Sequence, residues 1–549
     1  MRARPGLAVL LLLVAPAATG QQPDGSIRRS VEVRVTNLDV VVTDKKGARV
    51  PGLTRDDFEV LEEGARRTIT NFSAVGAAAS APAEGAESPP AAPAAPPGTA
   101  PSPPPPPRSF LVVFVDNLHL SVPYRNRALS QVLPLAGRAA ASGVPVLVVT
   151  SDRSPKIRQK FTTDAVLLAR ALDEVSRDSA AGSRQDTRRR AAFAGIDGAV
   201  RDRKYASAEG QARQLAEEEA AEVDVSLRSL RATVDQLAAL EGRKVLLHVS
   251  EGLPLSPGAD AYEYLASVWP AQGQGVRTGV PRASGLDRGA QMEALAEAAN
   301  AARVTIHAVD AAGLSRDDDG TGAEKMLATM GRVDPFRARV NRQSPLSLLA
   351  EETGGTAILN RSAIAEPLAE VEEDLGSYYS LGYEGAAADE DATLSVEVRV
   401  KRPGLVARAR RSLRVKSDDS RVAEGVASAL FFGRPENPFG ASVEFGAPQA
   451  GGRPGLPVRI RVPSGRLPGA GAPGAPRGRL VFYFMARDEE DRTSDLVRQE
   501  KEVAPDAEVV HEALLKLRPG RQVISIGIRD VATGLASYLQ RAVAVPPSR

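Results

Sequence analysis

The chain of 549 residues contains no cysteine, one tryptophan and four histidines. Without cysteine there are no disulfides, no thiol nucleophile and no Cys-ligated zinc or iron–sulfur centre. The histidines, His119, His248, His307 and His511, form no HExxH pair, which removes that zinc-protease pattern too. Charge of one sign is also missing: 70 Lys and Arg stand against 68 Asp and Glu. A balanced chain gives no global case for nucleic acid as a partner. No phosphate-cradling GxxxxGK and no GxSxG elbow occurs. Past the N-terminus, no apolar run approaches the length of a membrane span.

What is present begins with residues 1–20. Arg2 and Arg4 precede an apolar stretch over 7–18, with small residues at Ala18 and Gly20. This is the pattern of a secretory signal peptide, too short to span a bilayer, and removal is expected near Gly20. No cysteine follows to carry a lipid, so the expected location of the mature chain is periplasmic or extracellular. Residues 24–75 read as a small β module: Val31, Val33 and Val35 alternate with polar residues, and 44–47 and 62–64 are hairpin turns. Residues 76–108 shift to Ala, Pro, Ser, Gly and Glu. Such a segment buries too little to offset its ordering entropy and predicts a disordered linker.

Residues 110–115, FLVVFV, are unbroken apolar and end in Asp116. The run predicts a strand buried on both faces, as in parallel sheets. Asp116 then stands at its carboxyl end, where open α/β sheets bind ligands at the reversal of strand order. A helix follows, with Leu129, Val132, Leu133, Ala136 and Ala140 on one face. Further strands are expected at 144–149, 157–161, 244–249, 304–309 and 356–359, and helices around Leu168, Leu172 and Val175 and at 291–302. The Arg-rich stretch 178–203 reads as a solvated loop or helix face. A long helix over 206–240 carries Val223, Leu227, Leu230, Val234 and Leu237 at alternating spacings of four and three, a seam for packing on the sheet or for a coiled coil. Together these predict an α/β, doubly wound sheet over 109–385 with a helical insertion at about 178–240.

Strands at 393–400 and 406–415 turn at Arg402-Pro403-Gly404 and predict a β hairpin over 390–416 that pairs with the N-terminal module. Arg408, Arg410 and Arg414 share one strand face and read as a solvent face on an edge strand. Short strands at regular spacing over 437–546 predict a C-terminal immunoglobulin-like β-sandwich.

The segments FLVVFVD (110–116), FTTDAVLLARALDEV (161–175), KVLLHVSEG (244–252), VTIHAVD (304–310), LAEETGGTAIL (349–359) and LGSYYSLGYEG (375–385), in this order, resemble a von Willebrand factor A-type domain. More narrowly they resemble the VWFA-related acidobacterial family, and 41–64 and 396–413 are similar to its flanking pieces. The resemblance implies a Rossmann-like domain flanked by β modules and a non-enzymatic role in protein–protein binding or adhesion. In many members the upper sheet edge carries a metal-ion-dependent adhesion site for Mg²⁺ or another divalent cation. There an Asp-x-Ser-x-Ser loop supplies one carboxylate and two hydroxyls to a hard cation, leaving a position for a partner's acidic group.

Here the loop reads Asp116-Asn117-Leu118-His119-Leu120, with leucine at both serine positions and Ser121 one place later. The Asp-Gly expected after the fourth strand is Glu251-Gly252. The resemblance therefore implies a degenerate metal site of Asp116, Ser121 and Glu251, with the two carboxylates facing each other. It places the contact with another protein at Asp116, Asn117, Ser121 and Glu251, with metal optional. A vestigial site, with Asp116 bonded to nearby amides, is the bland alternative. Two other classes are a structural component of a cell-envelope assembly with no metal role, and a metal-dependent hydrolase using Asp116 and Glu251 as an acid/base pair. His119 reads as polar surface. Asp317-Asp318-Asp319-Gly320 reads as a solvated acidic turn, since Ser315 and Met326 hold the first and last positions of a calcium loop.

Overall fold

An apolar strand buried on both faces must find backbone partners on both sides. In the computed structural model Ser109–Asp116 runs parallel to Val146–Ser151 on one side and to Arg243–Ser250 on the other. The structure describes residues 35–78, 108–268, 286–313, 334–386, 388–434, 436–449, 455–463, 465–467, 478–504 and 508–546. The expected signal peptide 1–20, residues 24–34 of the N-terminal module, nearly all of the linker 76–108 and the acidic turn 317–320 lie outside them.

The six-stranded sheet has the order Ala357–Ile358, Val304–Asp310, Arg243–Ser250, Ser109–Asp116, Val146–Ser151, Pro155–Thr162. All neighbours are parallel except the last pair. The chain first moves outward from the central strand to one side, then returns and builds the other side. Strand order thus reverses between Ser109–Asp116 and Arg243–Ser250. Alternation sends Leu111, Val113 and Val115 to one face, among the helices Val122–Ala141, Ala165–Arg177 and Ala365–Gly376. Val112 and Phe114 go to the other, with the long helix Tyr205–Leu237 and Gly289–Ala301. Val223, Leu227, Leu230, Val234 and Leu237 all join that second cluster, so the seam packs on the sheet.

The Arg-rich stretch takes the helical of its two readings, Gly182–Arg201, but its Arg189 is buried and paired with Glu219 and Asp260 rather than solvated. Two strand placements are corrected. The strand Tyr378–Glu384, counted above with the α/β region 109–385, leaves that sheet altogether. It lies between Val35–Asp44 and Ile69–Val75 in the order Leu405–Arg408, Val35–Asp44, Tyr378–Glu384, Ile69–Val75. The arms expected to form one hairpin pair with each other only over Thr393–Ser395 and Ser412–Arg414; both join the N-terminal module as expected, but in different sheets, Thr393–Val400 beside Phe58–Glu62 and Leu405–Arg408 beside Val35–Asp44. Leu38, Val40, Phe58, Val60, Tyr379 and Tyr383 form their common core.

The arginines of the second arm do not form a solvent face. Arg408 Nη2 reaches both Asp374 oxygens at 3.1 Å, and Arg49 of the module binds the same buried carboxylate. Arg410 donates to the Asn300 and Asn37 carbonyls at 3.0 and 2.7 Å. A carboxylate buried at a junction needs such donors, and the strand supplies them. Of the three, only Arg414 stays substantially exposed, 3.5 Å from Asp391.

Toward the C-terminus, Ser442–Phe445, Gly455–Val462 and Val509–Lys516 form one antiparallel sheet. Val497–Val503, Gly478–Arg487, Gly520–Asp530 and Ala536–Val545 form another. Ile460, Phe482, Phe484, Leu515 and Ile526 belong to one shared apolar cluster. Among the described residues, no helix is long and apolar enough to cross a membrane.

Candidate functional site

Asp116 ends the central strand at the reversal of strand order and is fully buried. Its Oδ2 lies 3.0 Å from His119 Nδ1 and accepts from Ser250 Oγ at 3.3 Å. Its Oδ1 accepts from Ser226 Oγ at 3.1 Å, and that hydroxyl is also 3.0 Å from His119 Nδ1. An ionised carboxylate only accepts, so the imidazole carries its proton on Nδ1. Burial alone would raise the Asp116 carboxyl. The His119 imidazole, its hydrogen bond and that of Ser226 outweigh burial and hold the group below the ordinary carboxylate range. His248 Nε2 stands 4.0 Å from the same carboxylate, and burial pushes this histidine down to about 4.

Glu251 sits one residue past Arg243–Ser250. Its Oε1 accepts from Ser121 N at 2.5 Å and from Ser121 Oγ at 2.6 Å. Ser121 is also the N-cap of Val122–Ala141; its hydroxyl accepts no cap bond from that helix and donates to Glu251. The Asn117 carbonyl accepts from Ala181 N at 2.9 Å, and Asn117 Oδ1 accepts from the buried Arg125 at 3.3 Å. Arg125 also donates to the carbonyls of Ser176 and Asp178 at 2.8 and 2.9 Å. The insertion closes the edge at Gly182, whose N–H donates to the Leu120 carbonyl at 2.9 Å. A Cβ on Gly182 would stand 2.6 Å from the Leu120 and Ser121 backbone, so only glycine permits this approach.

The expected residues therefore lie at the carboxyl ends of neighbouring strands with their polar atoms bonded within the protein. Asp116, Asn117, Ser121 and Glu251 are 0, 1, 6 and 6 % exposed. Side chains so little exposed offer a partner almost no surface, and the contact surface expected at these four is corrected. The two carboxylates turn to different partners instead of facing one another. A hard cation needs several oxygens directed at one point; the oxygens of Asp116, Ser121 and Glu251 are directed at protein donors and at each other. Among the described residues, no group of three His, Cys, Asp or Glu is arranged to hold a metal. The cavity beside them, bounded by His119, Arg189, Glu219, Glu251 and Arg342, measures about 40 Å³, a volume for water and not for a substrate.

His119, expected at the surface, is 8 % exposed and orients Asp116. Ser226, Ser250, Arg125 and Gly182 were not expected. Ser226 left a signal: it falls three residues after Val223 and beside Leu227, a polar residue inside an apolar seam.

No family model and no curated protein matches this chain. Among solved structures it is similar to the pilus adhesin SpaC from Lactobacillus rhamnosus GG in its open conformation, at 10% identity and TM-score 0.26, over 80% of this chain and 52% of that one. Three N-terminal domains of the type V pili tip protein Mfa5 from Porphyromonas gingivalis give 9% identity and TM-score 0.23, over 94% and 78%. The human COPII-coat protein Sec24c gives 9% and 0.22, over 57% and 44%. The chain spans about half the length of the SpaC structure it matches. Overlap at these TM-scores adds nothing to the strand order described above.

Proposed function

We propose that this chain is an exported, non-enzymatic protein-binding module of the von Willebrand factor A type whose metal-ion-dependent adhesion site is vestigial. The observation that carries the reading is the closure of Asp116 by His119, Ser226 and Ser250 at the reversal of strand order. The edge keeps the position of a ligand site while its oxygens are engaged within the protein, so recognition rests on a rigid platform and needs no divalent cation. The doubly wound strand order supports the A-type reading, and the two C-terminal sheets around one core support an immunoglobulin-like sandwich beside it.

Calorimetric titration of the full chain with Mg²⁺, Mn²⁺ and Ca²⁺ tests the metal arm. The full chain is required, because cutting at 385 would separate Tyr378–Glu384 from its neighbouring strands. The expected result is no saturable binding. Saturable binding that disappears in Asp116→Ala would overturn the reading. A purely structural role in a cell-envelope assembly is favoured by one feature, the buried bond between Asp374 and Arg408 that holds the β module on the α/β domain. That role requires that charge reversal on the open sheet edge leaves every bound partner in place.

A further inference from the structure

Beside the closed carboxylates the sheet edge remains open. A cleft of about 600 Å³ runs between the loops after Ser109–Asp116 and Val146–Ser151, the start of Gly182–Arg201 and the middle of Tyr205–Leu237. Leu118, Ala181, Ala221 and Val225 give it an apolar lining. Its walls are tied to one another: Leu118 N donates to the Ser151 carbonyl at 3.2 Å and Ala181 N to that of Asn117 at 2.9 Å. The opening therefore exists before any partner arrives.

Charges around this cleft do not cancel. Arg188 is paired with Glu222 and lies 3.3 Å from Glu218, and Asp152 lies 3.9 Å from Lys156. Arg153 and Arg184 are exposed, and among the described residues neither forms an ion pair. Arg184 stands in the first turn of Gly182–Arg201, a turn without an acidic residue. The positive end of the helix adds there to the guanidinium charge, an arrangement that a bound anion relieves. Guanidinium groups take carboxylates in a two-pronged fit. An exposed pair of this kind contributes little by itself, so the apolar lining must supply the rest of the binding.

We infer that this cleft binds a peptide segment of the partner in which carboxylate side chains accompany apolar ones, with Arg153 and Arg184 taking the carboxylates. The inference rests on the protein-binding reading above and assigns its contact surface and the chemistry of its partner.

Random peptides displayed on phage, panned on the full chain in the presence of a chelator, provide the test. Enrichment of peptides that combine Asp or Glu with Leu, Ile or Phe is expected. A synthetic copy should bind about tenfold more weakly when its acidic residues become Gln, or when the protein carries Arg153→Glu with Arg184→Glu, the scale of two exposed pairs lost together. Both side chains are exposed, so the unfolding midpoint of the double variant should match that of the parent, which separates lost binding from lost structure. Enrichment of neutral or basic peptides, or acidic peptides that bind the double variant equally well, overturns the cleft and leaves the protein-binding reading standing. No enrichment on the parent chain overturns both.

Discussion

Ser226 Oγ lies 3.1 Å from Asp116 Oδ1, joining the long helix to the end of the central strand across 110 residues of sequence. The hydroxyl donates to a carboxylate that water does not reach. Ser226→Ala leaves that oxygen short of a donor and should cost about 1–3 kcal/mol in urea denaturation. Acid behaviour gives a second readout. Asp116 is depressed in the folded protein, so its contribution is present above the unfolded value of about 3.9 and is lost as pH falls through the folded value. Removing Ser226 brings the two values closer, and the acid midpoint should move to higher pH.

Lys244 begins a buried strand end, 1 % exposed, and donates to the Leu240 carbonyl at 2.6 Å. Burial, with Arg303 and Lys416 nearby, pushes its ammonium down to about 7. Between that value and the unfolded value of about 10.4, the unfolded chain holds a proton that the folded chain does not. Stability from this group should rise with pH across that window, by up to about 1.4 kcal/mol per unit. Lys244→Met should flatten the slope and stabilise the protein at neutral pH. Denaturation of both proteins at neutral and alkaline pH checks the sign.

Gly182→Ala drives a methyl group into the Leu120 and Ser121 backbone. An overpacked contact of this kind costs about 1–3 kcal/mol. Amide exchange should quicken at Gly182, whose bond to Leu120 is the one displaced. Unchanged protection there would show that the insertion does not hold the edge closed.

Asp374 is met by Arg49 and, through both its oxygens, by Arg408, with His307 Nε2 3.2 Å away. Asp374→Ala leaves the junction's Arg408 without its carboxylate and Arg49 with Glu373 alone. Breaking a buried pair from one side costs about 3–5 kcal/mol, and denaturant unfolding should register that loss. The exposed pair Arg170 with Glu174 is the control, where the same change should cost about 1 kcal/mol or less.

Much of the α/β layer was legible because its signals are local. The run over 110–115 and the seam from Val223 to Leu237 each announce their burial by spacing alone, and both lie where the spacing placed them. The site was legible only in position. His119 and Ser226 serve Asp116 from a loop and from a helix far along the chain, and no local period records such a bond. Arg408 and Arg410 misled for the same reason: alternation says that they share a side, and only the packing of a second domain says what covers it. Tyr378–Glu384 reads as a strand in either domain, and its sheet was decided by neighbours more than 300 residues away in sequence.

That strand has a consequence in time. Val35–Asp44 is made early, yet the neighbours on both its sides, Tyr378–Glu384 and Leu405–Arg408, come after the entire α/β layer. Closing so long a loop is slow unless the intervening chain has already condensed. The α/β layer thus acts as a clasp that must fold before the strap can fasten, and the first of the described strands to emerge is among the last to be paired.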